Sequence, residues 1–143
     1  MRKAAVLLVA LLVLACSSTN SNDNARIELV QMSGPAEQNW PFGRFFVQYG
    51  LRVTNRTKET ITLRQIALEQ ASPGGPYVLV RDRYQVPLTI SPGATEEATF
   101  QARAIATGNQ DSVQAQAPVS VRAVAYFNAP SGEFRALGMF TFR

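Results

Sequence analysis

Few side chains in this sequence can carry acid–base, nucleophilic or metal chemistry. Histidine is absent from all 143 residues, which removes the commonest general base and the commonest metal ligand. Cys16 is the only cysteine. It cannot form a disulfide within the chain, and without an imidazole to activate it a catalytic thiolate is not expected. The aspartates Asp23, Asp82 and Asp111 lie far apart, and no calcium-loop spacing occurs. Glu96 and Glu97 are the only adjacent acidic residues. Neighbours on a strand point to opposite faces, so they make a poor two-carboxylate site and read as a solvated strand start. Lys58, the only lysine beyond Lys3, sits in the turn-forming "NRTKET" with no serine placed to couple to it. "SPGGP", residues 72–76, lacks the lysine and the following helix of a phosphate loop. These residues predict no enzyme, no bound metal and no cofactor.

Two stretches carry contact chemistry instead. "QNWPFGRFF", residues 38–46, gathers Trp40, Phe42, Phe45 and Phe46 around Pro41 and Gly43. An aromatic loop of this kind can bind a peptide, a glycan or another protein, and it can equally plug the open end of a core. "VRDRY", residues 80–84, places Arg81 and Arg83 on one strand face with Asp82 on the other. The two arginines suit lipid phosphate or an acidic partner; they also suit a charged edge strand that discourages edge-to-edge pairing.

The position of Cys16 says more than its chemistry. Arg2 and Lys3 form a positive start, "AAVLLVALLVLA" follows as an apolar run of a dozen residues, and "VLAC" ends it at residues 13–16. The run is short of the ~20 residues that span a bilayer and has the layout of a secretory signal. "VLAC" resembles the lipobox of bacterial lipoproteins, in which a small residue precedes an obligatory cysteine. The resemblance implies that Cys16 is lipidated on sulfur, becomes the mature N-terminus and is then acylated there. Several acyl chains would hold the protein stably on a membrane. Ser17 stands where an aspartate usually retains such proteins in the inner membrane, which implies sorting to the outer membrane, facing the periplasm, in a Gram-negative cell.

Lysine and arginine total 14, and aspartate and glutamate total 10. Without Arg2 and Lys3 the balance is 12 − 10 = +2, so the pI of about 9.7 overstates the basicity of the mature chain. The basic residues are scattered along the sequence, which argues against nucleic acid as a partner.

Beyond the small polar run "SSTNSNDN", residues 17–24, the hydrophobic period is two. "RFFVQYGLRVTN" and "TITLRQIALEQ" read as a hairpin across "NRTKE", with Val53 opposite Ile61 and Leu51 opposite Leu63. The alternation then slips by one residue, which predicts a β-bulge at Arg64 and Gln65 that restores Ile66 and Leu68 to the apolar face. "PVSVRAVAYF" and "EFRALGMFTF" read as a second hairpin about "NAPSG". Opposing Phe127 to Phe134 aligns Ala125 with Ala136, Ala123 with Gly138, Val121 with Phe140 and Val119 with Phe142. The reverse face pairs Ser120 with Thr141 and Tyr126 with Arg135. Further strands are expected at Arg26–Met32, Pro76–Arg83, Tyr84–Ile90 and Ala94–Ile105, with turns at "SPGG" and "SPG". Seven or eight short strands predict an all-β, antiparallel sandwich. "LRVTNRTKETITL" with "LTISPGATEEATF" resembles the Ig-like or fibronectin-like sandwiches of bacterial extracytoplasmic proteins. That resemblance implies a fold and no functional residue.

The expected organisation is a signal peptide over residues 1–15, a lipidated cysteine and polar tether over 16–24, and one sandwich domain over 25–143. The expected function is that of a non-catalytic, membrane-anchored envelope lipoprotein, an accessory or protein-binding module of a cell-envelope assembly. The alternative is a glycan- or peptidoglycan-binding module that stacks sugar on Trp40. Candidate binding residues are Trp40, Phe42, Arg81 and Arg83; the candidate modification site is Cys16.

Overall fold

In the computed structural model, residues 23–34, 42–107 and 117–142 are described. Eight strands follow one another: β1 Ala25–Ser33, β2 Phe42–Asn55, β3 Ile61–Gln70, β4 Tyr77–Leu79, β5 Asp82–Ile90, β6 Thr95–Thr107, β7 Val119–Ala129 and β8 Gly132–Phe142. They build two four-stranded antiparallel sheets, ordered β1-β2-β6-β4 and β5-β3-β7-β8. Pairing β2 with β6 while β7 lies between β3 and β8 is the Ig-like arrangement of a β-sandwich.

Period-two alternation places one side of each strand in the core. Val47, Tyr49, Leu51 and Val53 of β2 are buried, as are Val121, Ala123, Ala125 and Phe127 of β7. Alanines fill the core side of β6 and β7 and leave room for larger rings. Phe127 stacks on Phe134 with centroids 5.0 Å apart, and Tyr49 contacts Phe142 at 5.5 Å. Buried area of this kind supplies ~25 cal/mol per Å² of apolar surface, the main stabilising contribution in a chain without disulfides.

The β7–β8 hairpin has the predicted register from Val119↔Phe142 through Ala125↔Ala136 to Phe127↔Phe134. The predicted β-bulge is also present. Between Leu63 and Gln65 the register of β3 shifts against both β5 and β7, and Ile66 and Leu68 return to the core beside Leu63.

The first predicted hairpin is corrected. β2 and β3 do not pair: β2 lies between β1 and β6, and β3 lies between β5 and β7. Val53 sits opposite Ile27 and Glu96 rather than Ile61, and Leu63 sits opposite Leu88 and Phe127 rather than Leu51. The chain crosses from one sheet to the other over residues 56–60. Val53 and Ile61 are both fully buried, but the apolar faces of their strands meet across the core.

Asn55 directs that crossing. It is the one buried polar residue among the described residues. Its Nδ2 donates to Glu59 O at 2.7 Å and to Ile90 O at 3.0 Å. Its Oδ1 accepts from Thr57 N at 2.9 Å and Thr57 Oγ1 at 2.8 Å. Its backbone donates to Ala94 O and accepts from Gly93 N. One side chain thus closes an Asx-turn and ties the β2–β3 crossing to the β5–β6 turn. A strand break was expected between Arg83 and Tyr84; it falls instead at residues 80 and 81, and β4 joins the opposite sheet from β5.

Candidate functional site

The two ends of the sandwich differ. Ala25 pairs with Asn55, and Arg56 N donates to Asn24 O, so the chain enters the domain at the end that holds the Asn55 cluster. At the other end Phe42 pairs with Thr107 and Gln70 with Val121. Trp40 and Cys16 lie outside the described residues. Phe42 opens β2, and its side chain is likewise not described.

The outward sides of the two sheets also differ in how their charges are paired. On β1-β2-β6, Arg52 lies between Glu28 at 3.7 Å and Glu97 at 2.6 Å, and Arg26 meets Glu28 at 2.7 Å. Glu97 is therefore engaged by arginine, while Glu96 is exposed on the strand's other side, opposite Val53. Beside this charged row, Gly50 leaves a depression next to Met32, whose Sδ would stand 3.4 Å from a Cβ at that position.

The outer side of β5-β3-β7-β8 gathers arginines instead. Register puts Arg83, Ala67, Val124 and Leu137 in one cross-strand row. Adjacent rows hold Glu69, Arg122 and Met139, and Gln85, Gln65, Tyr126 and Arg135. Arg81, in the connection before β5, reaches Glu69 at 3.8 Å. The result is a shallow groove of about 500 Å³, floored by Ala67 and Val124 and rimmed by Arg81, Arg83, Arg122 and Arg135. The Arg83 guanidinium carbon lies 5.5 Å from the centre of the Tyr126 ring, a cation–π contact that holds it over the groove.

Asp82 turns away from these arginines toward the other sheet. It accepts from the Arg103 guanidinium and from Arg83 N, and the first of these bonds chiefly holds its carboxyl below the usual range. Arg103 N in turn donates to Tyr84 Oη at 3.0 Å, which locks the start of β5 to β6. Burial pushes the Tyr84 hydroxyl up.

Arg81 and Arg83 are brought together as expected, with one adjustment: only Arg83 lies within the strand. The expectation of scattered basic residues is corrected, because folding joins these two to Arg122 and Arg135, some 40 and 50 positions further along. The signal for the second pair lay in the β7–β8 register, which puts both on the solvent face. The adjacency of β3 to both β5 and β7 was needed to complete the group. β5 is also a sheet edge carrying Pro87 and charge, in keeping with a guarded edge strand.

The groove can hold an anion through guanidinium forks. It has no thiol or imidazole, and its single hydroxyl belongs to Tyr126. Among the described residues no three metal-ligating side chains converge, and Lys58 is exposed in its turn.

No family model matches the chain, and a search of curated proteins finds no match. Among solved structures, a structural-genomics target designated SoR45 is similar over 85% of this chain and 87% of its own, at 14% identity and a TM-score of 0.50. A putative ApaA protein from Bordetella pertussis matches over 82% of this chain and 91% of its own, at 14% identity and a TM-score of 0.49. The GAE domain of yeast GGA1 matches over 87% and 95%, at 17% identity and a TM-score of 0.47. The first of these likenesses supports the sandwich fold.

Proposed function

We propose that this chain is a non-catalytic, lipid-anchored module of the bacterial cell envelope that binds a protein partner. The observation that carries the reading is "VLAC" at residues 13–16, set between a short apolar run and a polar segment that leads into a sandwich domain at Ala25. Residues 17–24 could lift the domain ~25–30 Å from the lipid when extended. The chain enters at the Asn55 end, so the arginine groove and the far loops are set away from the anchor. The anchor would confine the domain near its partner and raise the effective concentration, so a shallow groove suffices for binding.

Fractionation with and without the thiol tests this. The wild-type protein is expected in the outer-membrane fraction. C16S is expected as an uncleaved precursor or as protein released from that fraction. Identical fractionation of the two would refute the anchor.

A further inference from the structure

We infer that the outer face of the β5-β3-β7-β8 sheet docks an acidic, extended peptide segment of a partner protein. This deepens the reading of the chain as a binding module and rests on it, but it does not depend on the anchor. Charge favours such a segment. The groove lining holds four arginines against Glu69 and Asp82, 4 − 2 = +2. Residues 16–143 carry 12 − 10 = +2 in all. The other residues of 16–143 therefore sum to zero, and the groove lining carries an excess equal to the net charge. Asp82 is already engaged by Arg103, which lies outside the lining, so the field inside the groove is more positive than the count suggests.

At the centre of the groove, one of these charges is left over by the fold. Arg122 has no carboxylate partner among the described residues, since Glu69 across the strand turns to Arg81. Like charges gathered on one face repel, and a bound anion removes that repulsion. On the opposite sheet, by contrast, Arg26 and Arg52 are matched by Glu28 and Glu97.

Shape and place favour it too. Ala67 and Val124 make a low floor that lets a backbone approach, and β3 separates Arg83 from Arg122 by two strand spacings, ~10 Å. An extended segment presents alternate carboxylates ~7 Å apart, within reach of two long arginine side chains. The groove lies toward the end opposite Asn24, which favours a protein segment over the headgroups beneath the tether.

The test uses the full chain purified from membranes in non-ionic detergent, with fluorescence anisotropy of a labelled octa-glutamate peptide. The peptide is expected to bind, octa-glutamine is not, and raising the salt should weaken the complex. R83Q combined with R122Q should weaken binding by about tenfold or more. R26Q combined with R52Q, which removes the same charge from the other sheet, should leave it nearly unchanged. Melting curves verify that both variants fold. Equal weakening in the two doubles, or none in the first, overturns the proposal. So does uptake of phosphatidylglycerol vesicles through Arg83 and Arg122 with no affinity for octa-glutamate. In cells, a photocrosslinker at Val124 should trap a partner protein at an acid-rich segment. A partner trapped only from Thr99, on the other sheet, sinks this surface and leaves the binding module standing. No partner from either position sinks both.

Discussion

Asn55 shows how much one polar side chain can organise when every hydrogen-bonding atom is satisfied. It is fully buried and joins Thr57, Glu59, Ile90, Gly93 and Ala94 through side-chain and backbone bonds. Truncation removes the side-chain donor from the Ile90 carbonyl and the acceptor from the Thr57 amide, while Glu59 O keeps only Thr57 Oγ1 at 3.0 Å. N55A should therefore lose about 2–4 kcal/mol of stability in urea unfolding. The Asx-turn was readable from "TNRT" in the sequence; the bonds to residues 90–94 were not, because nothing local to residue 55 says which turn will lie beside it. The buried phenols make a second such point. Tyr77 donates to Gln31 Oε1 at 2.6 Å and lies 3.0 Å from Tyr49 Oη. Burial pushes both hydroxyls up, most strongly Tyr49. A phenol whose ionisation is harder in the folded state stabilises fully below the unfolded value of ~10, and that stability is lost as pH rises beyond it. Melting temperatures from pH 9 to 11 should fall steeply for the wild type and less steeply for Y49F.

The strands show what alternation does and does not reveal. A slip in the apolar period of "TITLRQIALEQ" located the bulge at Arg64, because a strand cannot change phase without an extra residue. Complementary sizes along "PVSVRAVAYF" and "EFRALGMFTF" located the second hairpin, because that pairing buries Phe127 and Phe134 together. The same logic failed for β2 and β3. Period two says which face is buried; it does not say whether that face meets its apolar counterpart beside it or across the core. The short run 56–60 permits either course, and β2 is instead flanked by β1 and β6. Turn glycines are stricter. Gly75 has φ +98°, and a Cβ there would stand 2.4 Å from Val119 Cγ2. G75A should cost about 1–3 kcal/mol by calorimetry. G93A, at φ +72° but with no atom within 4 Å, should cost less.

As a whole, the molecule divides its tasks by position: the core and the Asn55 cluster hold the sandwich, the chain enters beside that cluster, and unbalanced charge collects on one outer sheet face. The arginine group was only half readable from sequence. Arg81 and Arg83 share five residues of chain, whereas Arg122 and Arg135 reach them only because β3 lies between β5 and β7. The proposed anchor is the reverse case, resting wholly on residues 1–17 by type and order. The proposed tether and envelope location both rest on that attachment. Mass spectrometry of the N-terminal peptide from the membrane-purified protein tests it most directly. The expected product is a chain that begins at Cys16 and carries a diacylglyceryl group on sulfur and an acyl group on the amine. An N-terminus elsewhere, with Cys16 unmodified or missing, would contradict it.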